Sequence, residues 1–174
     1  MRIKVVVSLF LICLLLAGGE AMALDIKSAA FNNGDIMDPK YTCKGEDMSP
    51  QLSWSDIPDG TQSLALICDD PDAPFMTWVH WVVYDIPATV TGLPEAVAAD
   101  ETLANGAKHG RNDFRKIGYG GPCPPPGGPH RYYFKLYALD TMLGLEPGAT
   151  KKQILKAMEG HVLGEAQLIG HFKR

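Results

Sequence analysis

A single, mainly β domain carrying a few short helices is what the sequence predicts, and three observations carry the prediction. Stretches of period two recur along the chain. Glycine (18) and proline (13) punctuate its 174 residues, an excess that marks many turns and long shaped loops. Only one segment has both a helical start and a helical stop. The hydrophobic share of 46% and charged share of 21% are those of a globular domain. They exclude a disordered chain, a collagen-like repeat and a long coiled coil. A net charge of −4 lacks the basic excess of nucleic-acid binders, so no nucleic-acid partner is expected.

The domain does not begin at residue 1. Residues 1–23 read as a secretory signal peptide, and residues 24–174 as one domain. Arg2 and Lys4 form the charged start, Val5 to Leu16 is an apolar run broken only by Ser8, and Ala21-Met22-Ala23 gives the cleavage pattern. That run falls short of the ~20 apolar residues that span a bilayer. No small residue stands just before Cys13 to make an acylation site. The expected product is periplasmic or secreted, with no integral membrane association after cleavage. Removing residues 1–23 from 174 leaves 151, starting at Leu24, with 14 basic and 19 acidic side chains and a net charge of −5. It also leaves three cysteines, Cys43, Cys68 and Cys123. In an oxidising compartment that count predicts one disulfide and one leftover thiol. There is no CxxC pair, so zinc-ribbon and thioredoxin chemistry have no support.

The elements follow in order. Short strands are expected at 25–31, 52–54 and 165–169. Leu64, Leu66, Cys68 and Asp70 alternate with Ala65, Ile67 and Asp69; both faces stay apolar until Asp69, which predicts an interior strand. Trp78, His80, Val82 and Tyr84 are expected on one face of the next strand, opposed by Val79, Trp81 and Val83. From Arg131 to Leu139, Tyr132, Phe134, Leu136 and Ala138 share a face. Residues 105–129 show no period, and a loop of that length is usually functional or disordered. Thr150 is a good N-cap for a helix running to about Met158 before Gly160, with Ile154, Leu155 and Met158 as its buried stripe.

Polar residues gather at strand ends. Asp70-Pro71-Asp72-Ala73-Pro74 is a stiff turn whose aspartates either cap backbone N–H groups or face a ligand. His80, between Trp78 and Trp81, is either a core histidine or a partner for Asp70 if the flanking strands pair. Gly118 to Pro129 is a glycine- and proline-rich wall, where glycine permits close approach of a ligand. It feeds His130 and Tyr132, which point the same way two residues apart. Asp70, His80, His130 and Tyr132 thus form a donor-rich group suited to an oxyanion such as phosphate, with Asp70 fixing a histidine tautomer. His109, His161 and His171 have no acidic or cysteine partner at metal-ligand spacing and are expected on the surface or in packing. The nucleotide P-loop pattern is missing.

These motifs, taken together, resemble the phosphatidylethanolamine-binding protein family, and most closely its bacterial Raf-kinase-inhibitor-like (YbhB/YbcL) branch. The resemblance rests on Asp69-Asp70-Pro71-Asp72-Ala73-Pro74, Trp78-Val79-His80-Trp81, Gly121-Pro122-Cys123-Pro124-Pro125 and His130-Arg131-Tyr132. Tyr41 to Pro50, Gly92 to Glu95 and Glu159 to Ala166 add to it. It implies a Greek-key β-sheet domain with a few short helices. It also implies an anion pocket built from Asp70, Asp72, His80, Gly121, Cys123, Pro125, His130 and Tyr132. Eukaryotic members carry a C-terminal helix near the pocket; this chain ends at Arg174, which predicts a more open mouth. Because Cys43 and Cys123 lie in expected loops and Cys68 in an apolar strand, the disulfide is expected between Cys43 and Cys123.

The expected function is non-enzymatic binding of a small phosphate-bearing anion, such as a phosphoethanolamine-type head group, with no cofactor and no metal. The same pocket is a possible route to modulating a protein partner. Two alternatives stand beside it. One is a hydrolase using Asp70, His80 and His130, around a zinc ion if one is bound; no G-x-S-x-G motif supports it. The other is a secreted protein that meets partners through an outer surface.

Overall fold

The computed structural model describes residues 23–174, so the expected signal peptide lies outside the described residues apart from its last position. Among the described residues, eight strands form two antiparallel sheets. The smaller has the order β1 (Asp25–Lys27), β2 (Leu52–Ser55), β5 (Gly92–Leu93). The larger has the order β6 (Lys108–His109), β4 (Trp78–Pro87), β3 (Ser63–Asp70), β7 (His130–Leu139), β8 (Val162–Phe172). Two short helical segments complete it: a 3-10 turn at Pro39–Tyr41 and α1 at Lys151–Met158.

The large sheet is covered on both faces, which explains why β3 is buried at all eight positions. On one face Leu64, Leu66, Cys68, Phe134 and Leu136 pack against Ile26, Leu52, Trp54 and Leu93 of the small sheet. On the other, Ala65, Ile67, Val82 and Tyr84 pack against Ile154 and Met158 of α1. Along β7 the expected alternation is present: Tyr132, Phe134, Leu136 and Ala138 are buried, while Tyr133, Lys135 and Tyr137 between them are partly exposed.

Four expectations about elements are corrected. The first strand ends at Lys27, because Ser28 donates to Gln51 O and Ala29 N donates to Gln51 Oε1, which turns the chain away. The last strand extends across 162–172, since ten paired positions with β7 override its weak alternation. In α1, Ile154 and Met158 are buried one turn apart, but Leu155 lies round the helix and is 39% exposed. Finally, β4 does not keep one face. Cys68 pairs with Trp81 and Asp69 with Val79, leaving His80 as the extra residue of a β-bulge. The bulge places Val79 with Val82 and Tyr84, and Trp81 with Val83 on the opposite side.

The unperiodic 105–129 stretch is ordered along the outer edge of β4. His109 pairs with Val83, while Gly110 N, Asp113 N and Gly120 N donate to Val82 O, Val79 O and His80 O. Non-local backbone bonds of this kind carry no sequence period.

Candidate functional site

Strand pairing brings two aspartate- and histidine-bearing segments to one end of the large sheet. Asp69 pairs with Tyr133, so Asp70, on the face of Cys68, comes opposite Tyr132. His130 follows on the same face. Its Nδ1–H donates to Asp70 Oδ2 at 2.7 Å, the tautomer that an ionised carboxylate selects. Asp70 Oδ1 accepts from Asp72 N at 2.8 Å. Turn-capping and site-building are therefore both functions of one side chain.

The bulge aims His80 at this group. Its Nδ1–H donates to Gly120 O at 2.6 Å, and Gly120 N returns a bond to His80 O. The ring packs edge-on against Tyr132 and Phe114, at 5.2 and 5.4 Å between centroids. Burial pushes its pKa below the ordinary imidazole value, which favours the neutral ring. Tyr132 lies beneath, fully buried. Asp70 is near its hydroxyl, yet that hydroxyl makes no hydrogen bond of ordinary geometry among the described residues. Burial first, and the Asp70 charge second, hold the phenol protonated.

Asp70, His80 and His130 open into one cavity of about 240 Å³. Trp78 and Phe114 form aromatic sides, and Ala73 and Pro74 the rim from the aspartate loop. Cys123-Pro124-Pro125 makes the facing wall. A disulfide ties Cys43 to Cys123 with Cα atoms 5.4 Å apart, as expected, and Cys68 is a buried free thiol. The wall is also held by Tyr119 Oη donating to Tyr41 O, Gly121 N to Asp47 Oδ1, and Cys43 N to Pro122 O. A larger groove lies beside α1, but the Asp70–His130 pair and His80 converge in the smaller cavity.

Of the eight residues expected in the pocket, Asp70, His80, Cys123, Pro125 and His130 line it. Tyr132 is under its floor. Asp72 faces away: its carboxylate takes Arg131 Nε at 2.9 Å, Nη2 at 2.7 Å and the Arg131 backbone N at 2.9 Å. The guanidinium holds Asp72 down to about 2. Gly121 sits behind the wall. A Cβ there would fall 2.6 Å from Tyr41 O, so the glycine admits the 41–47 segment and not a ligand. Phe114 was not foreseen, because it lies in the unperiodic stretch and reaches the pocket through Asp113 N bonding to Val79 O. His109 is a packing residue, accepting from Trp81 Nε1 and donating to Asp100 O. His161 and His171 lie at the surface. No group of three His, Cys, Asp or Glu side chains among the described residues is placed to hold a metal ion. No helix among them is long and apolar enough to cross a membrane.

Comparison with known proteins agrees with this fold. The family model described as phosphatidylethanolamine-binding protein matches residues 27–173. A UPF0098 protein of Methanothermobacter thermautotrophicus is 55% identical over 151 residues, covering 87% of this chain and 99% of its own. One from Aquifex aeolicus is 49% identical, covering 91% and 92%. Among solved structures, Escherichia coli YbcL, described as a member of the mammalian PEBP family, aligns with TM-score 0.82 and 34% identity over 88% of this chain and 99% of its own. A Chlamydia trachomatis homolog of phosphatidylethanolamine-binding proteins aligns with TM-score 0.80 and 41% identity, covering 87% and 98%.

Proposed function

This chain belongs to the phosphatidylethanolamine-binding protein family, and on that premise we propose that it is an exported, non-enzymatic binder of a small phosphate monoester or diester. The observation that carries the reading is the Asp70–His130 pair facing His80 across one cavity. With its Nδ1–H given to Asp70, His130 presents Nε2, which donates to a phosphate oxygen when the ring is protonated. His80, neutral and bonded to Gly120 through Nδ1, offers Nε2 as an acceptor for a phosphate O–H. Trp78 and Phe114 supply ring faces for an ammonium group, so phosphoethanolamine suits both ends. At about 240 Å³ the cavity lies below the usual range for drug-sized ligands, which favours a head group. A protein partner bearing a phosphorylated side chain would meet the same donors.

The Asp70–His130 bond is also the base-and-orienter half of a hydrolytic triad. The residues lining the cavity include no hydroxyl nucleophile, however, and Cys123 is spent in the disulfide. That favours binding over turnover. The cross-link also supports export, because disulfides persist in oxidising compartments. Calorimetry with inorganic phosphate and O-phosphoethanolamine tests the pocket. Saturable binding lost in His130→Ala is expected; equal heats in both proteins refute it. An esterase and phosphatase screen separates the hydrolase, and intact mass of secreted material, expected to start at Leu24, tests export.

A further inference from the structure

Residues 71–77 separate the small pocket from a groove of about 540 Å³ on its far side. Ala73 and Pro74 line the pocket; Met76 and Thr77 line the groove. The groove has an apolar side made of Met76, Val79 and Leu155, of which Met76 and Leu155 are 57% and 39% exposed. Beside Met76, Phe75 stands fully in solvent with φ of 75°, a conformation unfavourable for any residue with a Cβ.

The other side is basic. The lysines and arginines that form ion pairs among the described residues are Lys27, Lys40, Lys108, Arg131, Lys135 and Lys151. Arg111, Lys152 and Lys156, which line the groove, are not among them. Lys152 and Lys156 stand four residues apart on α1, a like-charge pair that weakens the helix. No acidic residue in the first turn offsets this. Of the acidic groups present, Asp113 is bonded to Val79 N and Glu159 sits past the helix end. A chain of net charge −4 thus gathers unpaired positive charge around an exposed apolar surface, an arrangement that carries a cost until an anion arrives.

We propose that this groove docks an acidic segment of a protein partner, seating an apolar side chain against Met76, Val79 and Leu155 while flanking carboxylates meet Arg111, Lys152 and Lys156. The concave shape favours a peptide over a bilayer surface, which cannot enter it. The site stands apart from the anion pocket and does not depend on it.

Titration of the 15N-labelled protein with a synthetic peptide alternating glutamate and leucine tests the proposal, with a lysine–leucine peptide as control. Shifts centred on Met76, Lys152 and Leu155, with the acidic peptide alone and weakening with salt, are expected. The charge reversal Lys152→Glu with Lys156→Glu alters exposed side chains, so its melting temperature should stay near that of the parent; its Kd should rise at least tenfold. His130→Ala should bind the peptide unchanged, which separates this site from the pocket. No shift at millimolar peptide, or shifts that survive charge reversal, overturn the proposal. Binding to phosphatidylglycerol vesicles without any response to peptide overturns it as well, assigning the surface to a membrane.

Discussion

Removing the Cys43–Cys123 bridge should cost this domain a large part of its stability while leaving the folded wall in place. The perturbation is the double variant Cys43→Ser, Cys123→Ser, which avoids stray thiols. The bridge joins residues 80 apart in sequence. In the chain-entropy account, releasing a loop of that length returns freedom to the unfolded chain worth about 4.5 kcal/mol at 25 °C. The native wall keeps its bonds from Tyr119 to Tyr41, Gly121 to Asp47 and Cys43 to Pro122, so the folded state has little reason to relax. For a domain of this size each kcal/mol moves the melting temperature by about 2–4 °C, giving a drop of roughly 9–18 °C. Guanidinium unfolding of both proteins, with and without dithiothreitol, measures it. The reduced parent should match the double variant. A loss below about 1 kcal/mol with unchanged m-value would refute the reasoning. Because Cys123 lines the cavity, phosphoethanolamine affinity should fall as well, by less than His130→Ala lowers it.

Other outcomes follow from the same geometry. Tyr132→Phe removes a buried hydroxyl that makes no hydrogen bond of ordinary geometry among the described residues, and should raise the stability of the free protein by about 1 kcal/mol; a destabilised variant would show that the hydroxyl is satisfied, with Asp70 as its partner. His80 and His109 are both held below the ordinary imidazole value of 6.5 by burial. The unfolded chain therefore binds more protons as pH falls through that value, and stability should decline from pH 7 toward pH 5. His109→Gln should flatten that decline in pH-resolved melting curves; an unchanged slope would remove His109 from the account. Asp72, held at about 2 by Arg131, contributes stability that is present above 3.8 and lost as pH falls through about 2. Acid titration of Asp72→Asn should lack that step. Asp70→Asn should free the His130 ring, seen as a changed Nδ1 resonance, and reduce phosphate affinity severalfold.

The parts of the fold legible in the sequence were those with local signals. The two-faced apolar character of residues 64–69 reflects a strand packed on both sides, and the alternation of 131–139 reflects one buried face. Thr150 and Gln153 announce the helix through a capping box. The bulge was not legible, because it is defined by register against Cys68 and Asp69 and not by the composition of β4. Nor was the true position of Asp72 or Gly121. Both carry marks of a site, one a carboxylate and the other a close-approach glycine. Their partners, Arg131 and the 41–47 segment, sit far away in sequence. Phe114 left no trace because long loops are placed by backbone bonds to an existing edge.

His80 is a supernumerary residue. Deleting that one position would set Trp81 and Val79 directly beside one another opposite Cys68 and Asp69, restoring a continuous ladder from Leu66 to Asp70. Regular pairing and the pocket are thus rival outcomes of the same stretch of chain, separated by a single codon. A lineage that shed that codon would keep its scaffold and forfeit its binding chemistry in one step, so a relative with a smooth β4 would be a sheet preserved for some other purpose.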